Sequence, residues 1–263
     1  MSTVTLAASW VLPVDGPPLP DGRVAVEGDR VAWVGPAGEP SAPGGAVRDL
    51  GPGVLLPGLV NAHCHLELSS LQGKTPWGQG FVPWVEAVVA SRARAGEKEA
   101  AARTAWAVAS VEERGTVAVG DISNRLAHLE VLEESGLRAV VFLEVLAWDP
   151  ARAAESAQWA EDRLAAAPEG GAVEVRLAAH APHSVSPELL RGLVERGGIG
   201  AMHLAESPEE SRFLESADGA WAEFLDRRGL AHVPFTPPGT SPVRYTDELG
   251  VLHPGLVAAH GVQ

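Results

Sequence analysis

Apolar runs and amphipathic stretches alternate along most of this chain. Short apolar runs bounded by turn residues read as buried strands, and longer stretches with helical spacing of apolar positions read as helices. The pattern predicts strands at 55–65, 116–122, 138–146, 173–180, 199–204 and 255–262. The first of these opens at the Pro57-Gly58 bend, with Leu55 to Val60 read as buried. Helices are predicted between the first five, at about 81–114, 125–135, 151–166 and 186–196. A further helix at 209–228 precedes a Pro/Gly/Thr loop at 233–243. Regular alternation of strand and helix argues for a parallel β/α architecture. Asp149-Pro150, Ser186-Pro187 and Ser207-Pro208 each set an N-cap residue before proline at the first helical position. Ser207 with Glu210 completes a capping box. Shorter strand-like runs at 3–12, 23–27 and 30–35 and a Gly/Pro-rich stretch at 36–53 make residues 1–53 a small β appendage. Residues 54–263 then form the main domain.

Polar residues gather where these strands end. His63 and His65 are two apart, so on a strand both imidazoles project from one face. His180, His203 and His260 also fall at predicted strand C-termini, with Asp121 ending the second strand and Glu206 three residues after His203. In a closed β/α barrel the chemistry sits at that end of the strands, and imidazole is the commonest protein metal ligand. His128, His183, His232 and His253 fall in helix or loop, where solvated or structural roles are expected. Cys64 points away from its histidine neighbours, toward core. Asp121 reads as structural. Glu67 and Glu144 read equally well as pocket-facing or as solvated or hydrogen-bonded carboxylates, and the acidic and Arg-rich stretch 92–114 as a solvated helix face.

Composition narrows the class. At 263 residues and 46% hydrophobic, the chain can bury a large core. No run is long and apolar enough to span a bilayer, and residues 1–20 lack the pattern of a secretory signal. A single cysteine excludes an intrachain disulfide and suits a cytoplasmic protein. A net charge of −14 repels polyanions, which argues against nucleic-acid binding. Homo-oligomerisation is left open.

Three segments together carry a resemblance. Pro57-Gly58-Leu59-Val60-Asn61-Ala62-His63-Cys64-His65-Leu66-Glu67, Met202-His203-Leu204-Ala205-Glu206 and Ala258-Ala259-His260-Gly261-Val262 resemble the amidohydrolase superfamily. More narrowly they resemble its branch of chlorohydrolases, methylthioadenosine/S-adenosylhomocysteine deaminases and aminofutalosine deaminases. Leu66-Glu67-Leu68-Ser69, Phe81-Val82-Pro83-Trp84 and Ser241-Pro242-Val243-Arg244-Tyr245 look most like the aminofutalosine deaminase side. The resemblance implies a (β/α)8 TIM-type barrel with a β-sandwich appendage. It implies that His63, His65 and His203 bind one divalent metal ion, Zn²⁺ or Fe²⁺. Glu206 and His260 would be catalytic: Glu206 moves a proton between the attacking water and the substrate's ring nitrogen, and His260 orients the attack. His180, Glu67 and Arg244 would contact a small-molecule substrate. In Ala179-His180-Ala181-Pro182-His183-Ser184, Ala179 and His183 depart from the family's proline and aromatic, which puts packing around the substrate in question. Binuclear family members use a lysine on the fourth strand. The two lysines here, Lys74 and Lys98, lie elsewhere, so a mononuclear site is implied.

The implied activity is hydrolytic deamination of an aminopurine nucleoside of the aminofutalosine or methylthioadenosine type. Two alternatives stand beside it: hydrolysis of another C–N or C–Cl bond on a heterocycle, and an inactive metal-binding remnant. The family's barrel has eight strands, with a metal-ligating aspartate at the eighth, whereas about six strands are recognisable here. The sequence therefore reads as an incomplete barrel from a longer enzyme, and weak or absent turnover is expected of the chain alone.

Overall fold

A computed structural model of the chain describes residues 3–94, 96–168 and 170–263. The chain divides into two units between Leu59 and Val60. The first contains β1 (Thr3–Ala7), β2 (Trp10–Val11), β3 (Leu19–Pro20), β4 (Gly22–Glu27), β5 (Arg30–Pro36), β6 (Ala46–Asp49) and β7 (Val54–Leu55). They form two small sheets, ordered β5-β4-β1-β6 and β3-β2-β7. Pairing is antiparallel except for β1 with β6 and β2 with β7.

The second unit is built on β8 (Leu59–Cys64), β9 (Thr116–Ser123), β10 (Arg138–Val145), β11 (Val173–Ala179), β12 (Ala201–Leu204) and β13 (Val257–His260). They form one sheet in chain order, and β9 to β13 pair in parallel. The sheet curls until its two ends nearly meet, since the rings of His63 on β8 and His260 on β13 lie 5.2 Å apart. Around it run α1 (Phe81–Arg94), α2 (Glu97–Glu113), α3 (Leu129–Glu133), α4 (Ala153–Ala165), α5 (Pro187–Glu195), α6 (Pro208–Ser216), α7 (Ala220–Arg227) and α8 (Pro242–Glu248). Among the described residues no helix is long and apolar enough to cross a membrane.

Strand periodicity sorts the side chains into layers. On β10, Val141, Leu143 and Val145 face outward and pack with helix residues such as Leu132, Ala160 and Leu189. Leu189, Leu190 and Leu193 of α5 are fully buried there, each contributing about 1.5–3 kcal/mol of burial free energy. Facing inward, Ile122, Phe142, Ala178 and Ala201 form a buried apolar layer. Two residues further along each of those strands stand Asn124, Glu144, His180 and His203. The barrel interior therefore changes from apolar to polar in one step of the pleat.

Four expectations need correction. Leu55 to Val60 is not one buried strand: Val54–Leu55 pairs with β2, and Leu59 and Val60 are 51% and 68% exposed because β8 is an end strand of its sheet. The helix expected at 81–114 is two, with α2 starting from Gly96. The helix expected at 209–228 is also two: α6 ends at Ala217 in the left-handed region, and Gly219, with φ 85°, precedes α7. Finally, α8 begins inside the expected loop, where Ser241 Oγ accepts the Arg244 amide and Pro242 takes the first turn. That is the Ser-Pro signal of the other helices, hidden among loop-forming residues.

Candidate metal centre and active site

The end of β8 is held from behind by a buried carboxylate. Asp121, wholly inaccessible at the end of β9, accepts the Leu66 amide at 2.7 Å and lies 2.7 Å from His128 Nε2. Cys64 turns to this side, with its sulfur 3.7 Å from Asp121 Oδ1. Burial and the Asp121 charge push its thiol pKa well above the ordinary value. Gly120 lets the two strands approach, because a β-carbon there would sit 2.4 Å from the Ala62 carbonyl oxygen. Asp121 and His128 are thus structural, and they fix the direction in which His63 and His65 leave the strand.

Four imidazoles converge on the inward side. The ring of His63 lies 5.1 Å from His65, 4.8 Å from His203 and 5.2 Å from His260. His65 and His203 stack, with their Nε2 atoms 3.1 Å apart. His203 Nδ1 lies 2.9 Å from the His180 carbonyl, which can only accept, so Nδ1 carries the proton and Nε2 presents its lone pair. Burial lowers the pKa of all four rings, to about 3 for His65 and His203. They are neutral at pH 7, the form that binds metals. Nitrogens bonded to one Zn²⁺ at about 2.0–2.1 Å stand roughly 3–3.5 Å apart, and the His65–His203 separation falls in that interval. Ligand atoms of His63, His203 and His260 also lie within 4.8 Å of one another. The His63–His203–His260 group fits a divalent ion; of the three histidines expected as ligands, His63 and His203 are in it, and His65 adjoins it through His203.

Glu206 stands beside the cluster, with Oε1 3.5 Å from His260 Nε2. Burial, then the charges of Glu210 and Glu144, raise its pKa to about 7. A carboxyl poised there can both give and take a proton near neutrality. His180 is also in the group, 4.9 Å ring to ring from His203. Its Nδ1 lies 2.5 Å from Ser184 Oγ, whose own proton goes to the Ala181 carbonyl. His180 Nδ1 is therefore the donor, and Nε2 is left as an acceptor.

A polar chain leads outward from His203. Glu144 Oε1 is 3.5 Å from His203 Nδ1, and Asn124 Nδ2 donates to Glu144 Oε2 at 2.9 Å. Asn124 accepts from Arg92, and Arg92 pairs with Glu67. Ser123 Oγ donates to the other Glu67 oxygen at 2.8 Å. Burial raises the pKa of Glu144. Glu67 and Glu144 thus belong to the site's surroundings, and Arg92 is not on a solvated face as the charge pattern of 92–114 suggested. Asn124 could have been found by counting two residues on from Ile122. Arg92 had no local signal, because its partners are distant in sequence.

Two other residues lie outside the cluster, Arg244 against expectation and His183 in the structural role expected of it. Arg244 is 73% exposed at its side chain and pairs with Glu248 of its own helix, so the structure does not bring it into the histidine cluster. His183 is fully buried, with its ring 4.3 Å from that of Trp221 and its Nδ1 3.7 Å from Glu210. It packs between Trp221 and Glu210, out of contact with solvent.

Residues 54–262 match the model of the Amidohydrolase family. The chain is 30% identical over 175 residues to an adenosine deaminase of Helicobacter pylori, covering 65% of this chain and 42% of that protein. It is 26% identical over 277 aligned positions to a 5-methylthioadenosine/S-adenosylhomocysteine deaminase of Desulfitobacterium hafniense, covering 100% of this chain and 58% of that one. Among solved structures it resembles Helicobacter pylori aminofutalosine deaminase in complex with methylthio-coformycin. The TM-score is 0.73 and the identity 26%, over 89% of this chain and 58% of the other. The chain spans about half the length of the curated relatives it matches.

Proposed function

Because this chain belongs to the amidohydrolase family, we propose that its histidine cluster is the metal centre of a hydrolytic deaminase acting on an aminopurine nucleoside, of the aminofutalosine or methylthioadenosine type. The observation that carries the proposal is the convergence of His63, His65, His203 and His260 beside a carboxyl that titrates near neutrality. The names of the relatives support the choice of substrate.

His63, His65 and His203 would hold one divalent ion, Zn²⁺ or Fe²⁺, with His260 grouped with His63 and His203 as a further ligand candidate. Such a group would supply Lewis acidity, which lowers the pKa of water from about 16 to about 7. Deamination replaces the ring's C–NH2 bond with C=O: water supplies the oxygen, and the amino group leaves as ammonia. Glu206 takes a proton from water and returns it to the ring nitrogen or the departing amine, a role worth roughly 10²–10⁴-fold in rate. His260, 3.5 Å from Glu206, orients the attack. His180 offers Nε2 to the substrate, and Glu67, fixed by Arg92 and Ser123, offers a carboxylate to its polar groups. Residues 54–263 carry this chemistry, with 1–53 as the appendage.

The test is ammonia release from methylthioadenosine and aminofutalosine by the Zn²⁺- or Fe²⁺-loaded chain, set against a Glu206→Gln control. Release above that control is expected, even if slow. Hydrolysis of a chlorotriazine or a cyclic amide instead would contradict the proposal.

A further inference from the structure

We propose that Glu210 is a positioning residue for this site: its carboxylate clamps the turn that aims Glu206 and anchors the segment following His260. The inference rests on the functional reading above only for the role of Glu206.

The capping-box pattern led to the expectation that Glu210 would reach back to Ser207. Its backbone amide does meet Ser207 Oγ, at 3.2 Å. Its side chain goes further back. Oε2 accepts the Glu206 amide at 2.7 Å, and Oε1 accepts the Ala205 amide at 3.2 Å. Ala205 sits at φ 53°, a left-handed conformation that a β-carbon disfavours, so this turn needs something to hold it. Ala205 and Glu210 are both wholly buried. Water is therefore not there to replace the carboxylate, and unmet amides in a dry interior are costly.

The same turn is gripped from its other side. Leu204 O accepts the Gly261 amide at 2.9 Å, and Ala205 O accepts those of Val262 and Gln263 at 3.0 and 3.1 Å. These three residues directly follow His260. One carboxylate thus fixes a junction from which both Glu206 and His260 project. Glu210 is itself backed by His183, whose carbonyl accepts from Trp221 Nε1 at 2.8 Å and whose ring is wedged against that indole.

Amide hydrogen exchange on the metal-free chain, resolved by residue, tests the clamp without depending on turnover. In Glu210→Ala the amides of Ala205, Glu206, Val262 and Gln263 are expected to exchange about tenfold faster or more, while β10 and β11 keep the parent's protection. Unchanged exchange at Ala205 and Glu206, or acceleration spread evenly over the sheet, would overturn the proposal. If Glu210→Ala does not fold, Glu210→Gln decides: it keeps one acceptor oxygen, so one of the two amides should accelerate, and parent-like exchange at both would overturn it. In the active enzyme, kcat should fall about tenfold or more at unchanged KM; kcat within about twofold of the parent overturns the positioning role. A parent chain that hydrolyses a chlorotriazine or a cyclic amide instead yet shows the exchange pattern counts against the proposed function and for the clamp.

Discussion

The Nε2 atoms of His65 and His203 face each other at 3.1 Å, although 138 residues separate them in the chain. At that separation His65 can donate Nε2–H to the His203 lone pair, and with both Nε2 atoms unprotonated the two lone pairs can share one cation. Glu206 and His260 stand beside that pair, with Oε1 and Nε2 3.5 Å apart.

Stability of the metal-free chain should fall with acidification. His63, His65, His180, His203 and His260 all have pKa values lowered chiefly by burial, to about 3 for His65, His180 and His203. Between the unfolded value near 6.5 and those lowered values, the unfolded chain binds more protons, so stability held above pH 6.5 is lost toward pH 3. Glu144 and Glu206 are shifted upward and act in the opposite sense, which reduces the effect of the five histidines. The urea midpoint without metal should be lower at pH 5.5 than at pH 7.5. An equal or higher midpoint at pH 5.5 would be inconsistent with the buried neutral cluster.

Metal binding should release a proton from Glu206. With a pKa of about 7 in the metal-free chain, this carboxyl is about half protonated at neutrality, and a nearby cation favours its ionised form. Calorimetric titration with Zn²⁺ in buffers of different ionisation enthalpy should show about half a proton more released by the parent than by Glu206→Gln at pH 7. Equal release by the two would place Glu206 too far from the ion to act.

Gly120→Ala should loosen the first strand. The new β-carbon would stand 2.4 Å from the Ala62 carbonyl oxygen and 3.0 Å from its carbon, both backbone atoms that cannot rotate away. A loss of about 1–3 kcal/mol is expected from such overpacking. Ion affinity should weaken with it, because His63 is the next residue along. A variant with the parent's urea midpoint and affinity would show that β8 can shift freely.

The parallel β/α plan was legible because strand and helix periods differ and because Ser-Pro and Asp-Pro mark helix starts. Asp149, Ser186 and Ser207 all accept the capping amide their spacing suggested. The histidines at strand ends were legible for a related reason: His180 and His203 stand one pleat beyond small or apolar inward residues, Ala178 and Ala201. What escaped was fixed by tertiary contact. Arg92 looked solvated until Glu67 and Asn124 were brought to it, and Glu210 looked like an ordinary cap until the chain turned at Ala205. Arg244 shows the converse, since a familiar local motif did not place its side chain in the cluster.

The most direct measurement is Zn²⁺ binding by the purified chain, followed by metal analysis and calorimetry. One tightly held ion per chain is expected, lost in His65→Ala and in His203→Ala but retained in His232→Ala, whose ring meets the Gly229 carbonyl on the surface. A parent chain that takes up no ion, or a His203→Ala variant that binds as tightly as the parent, would contradict it.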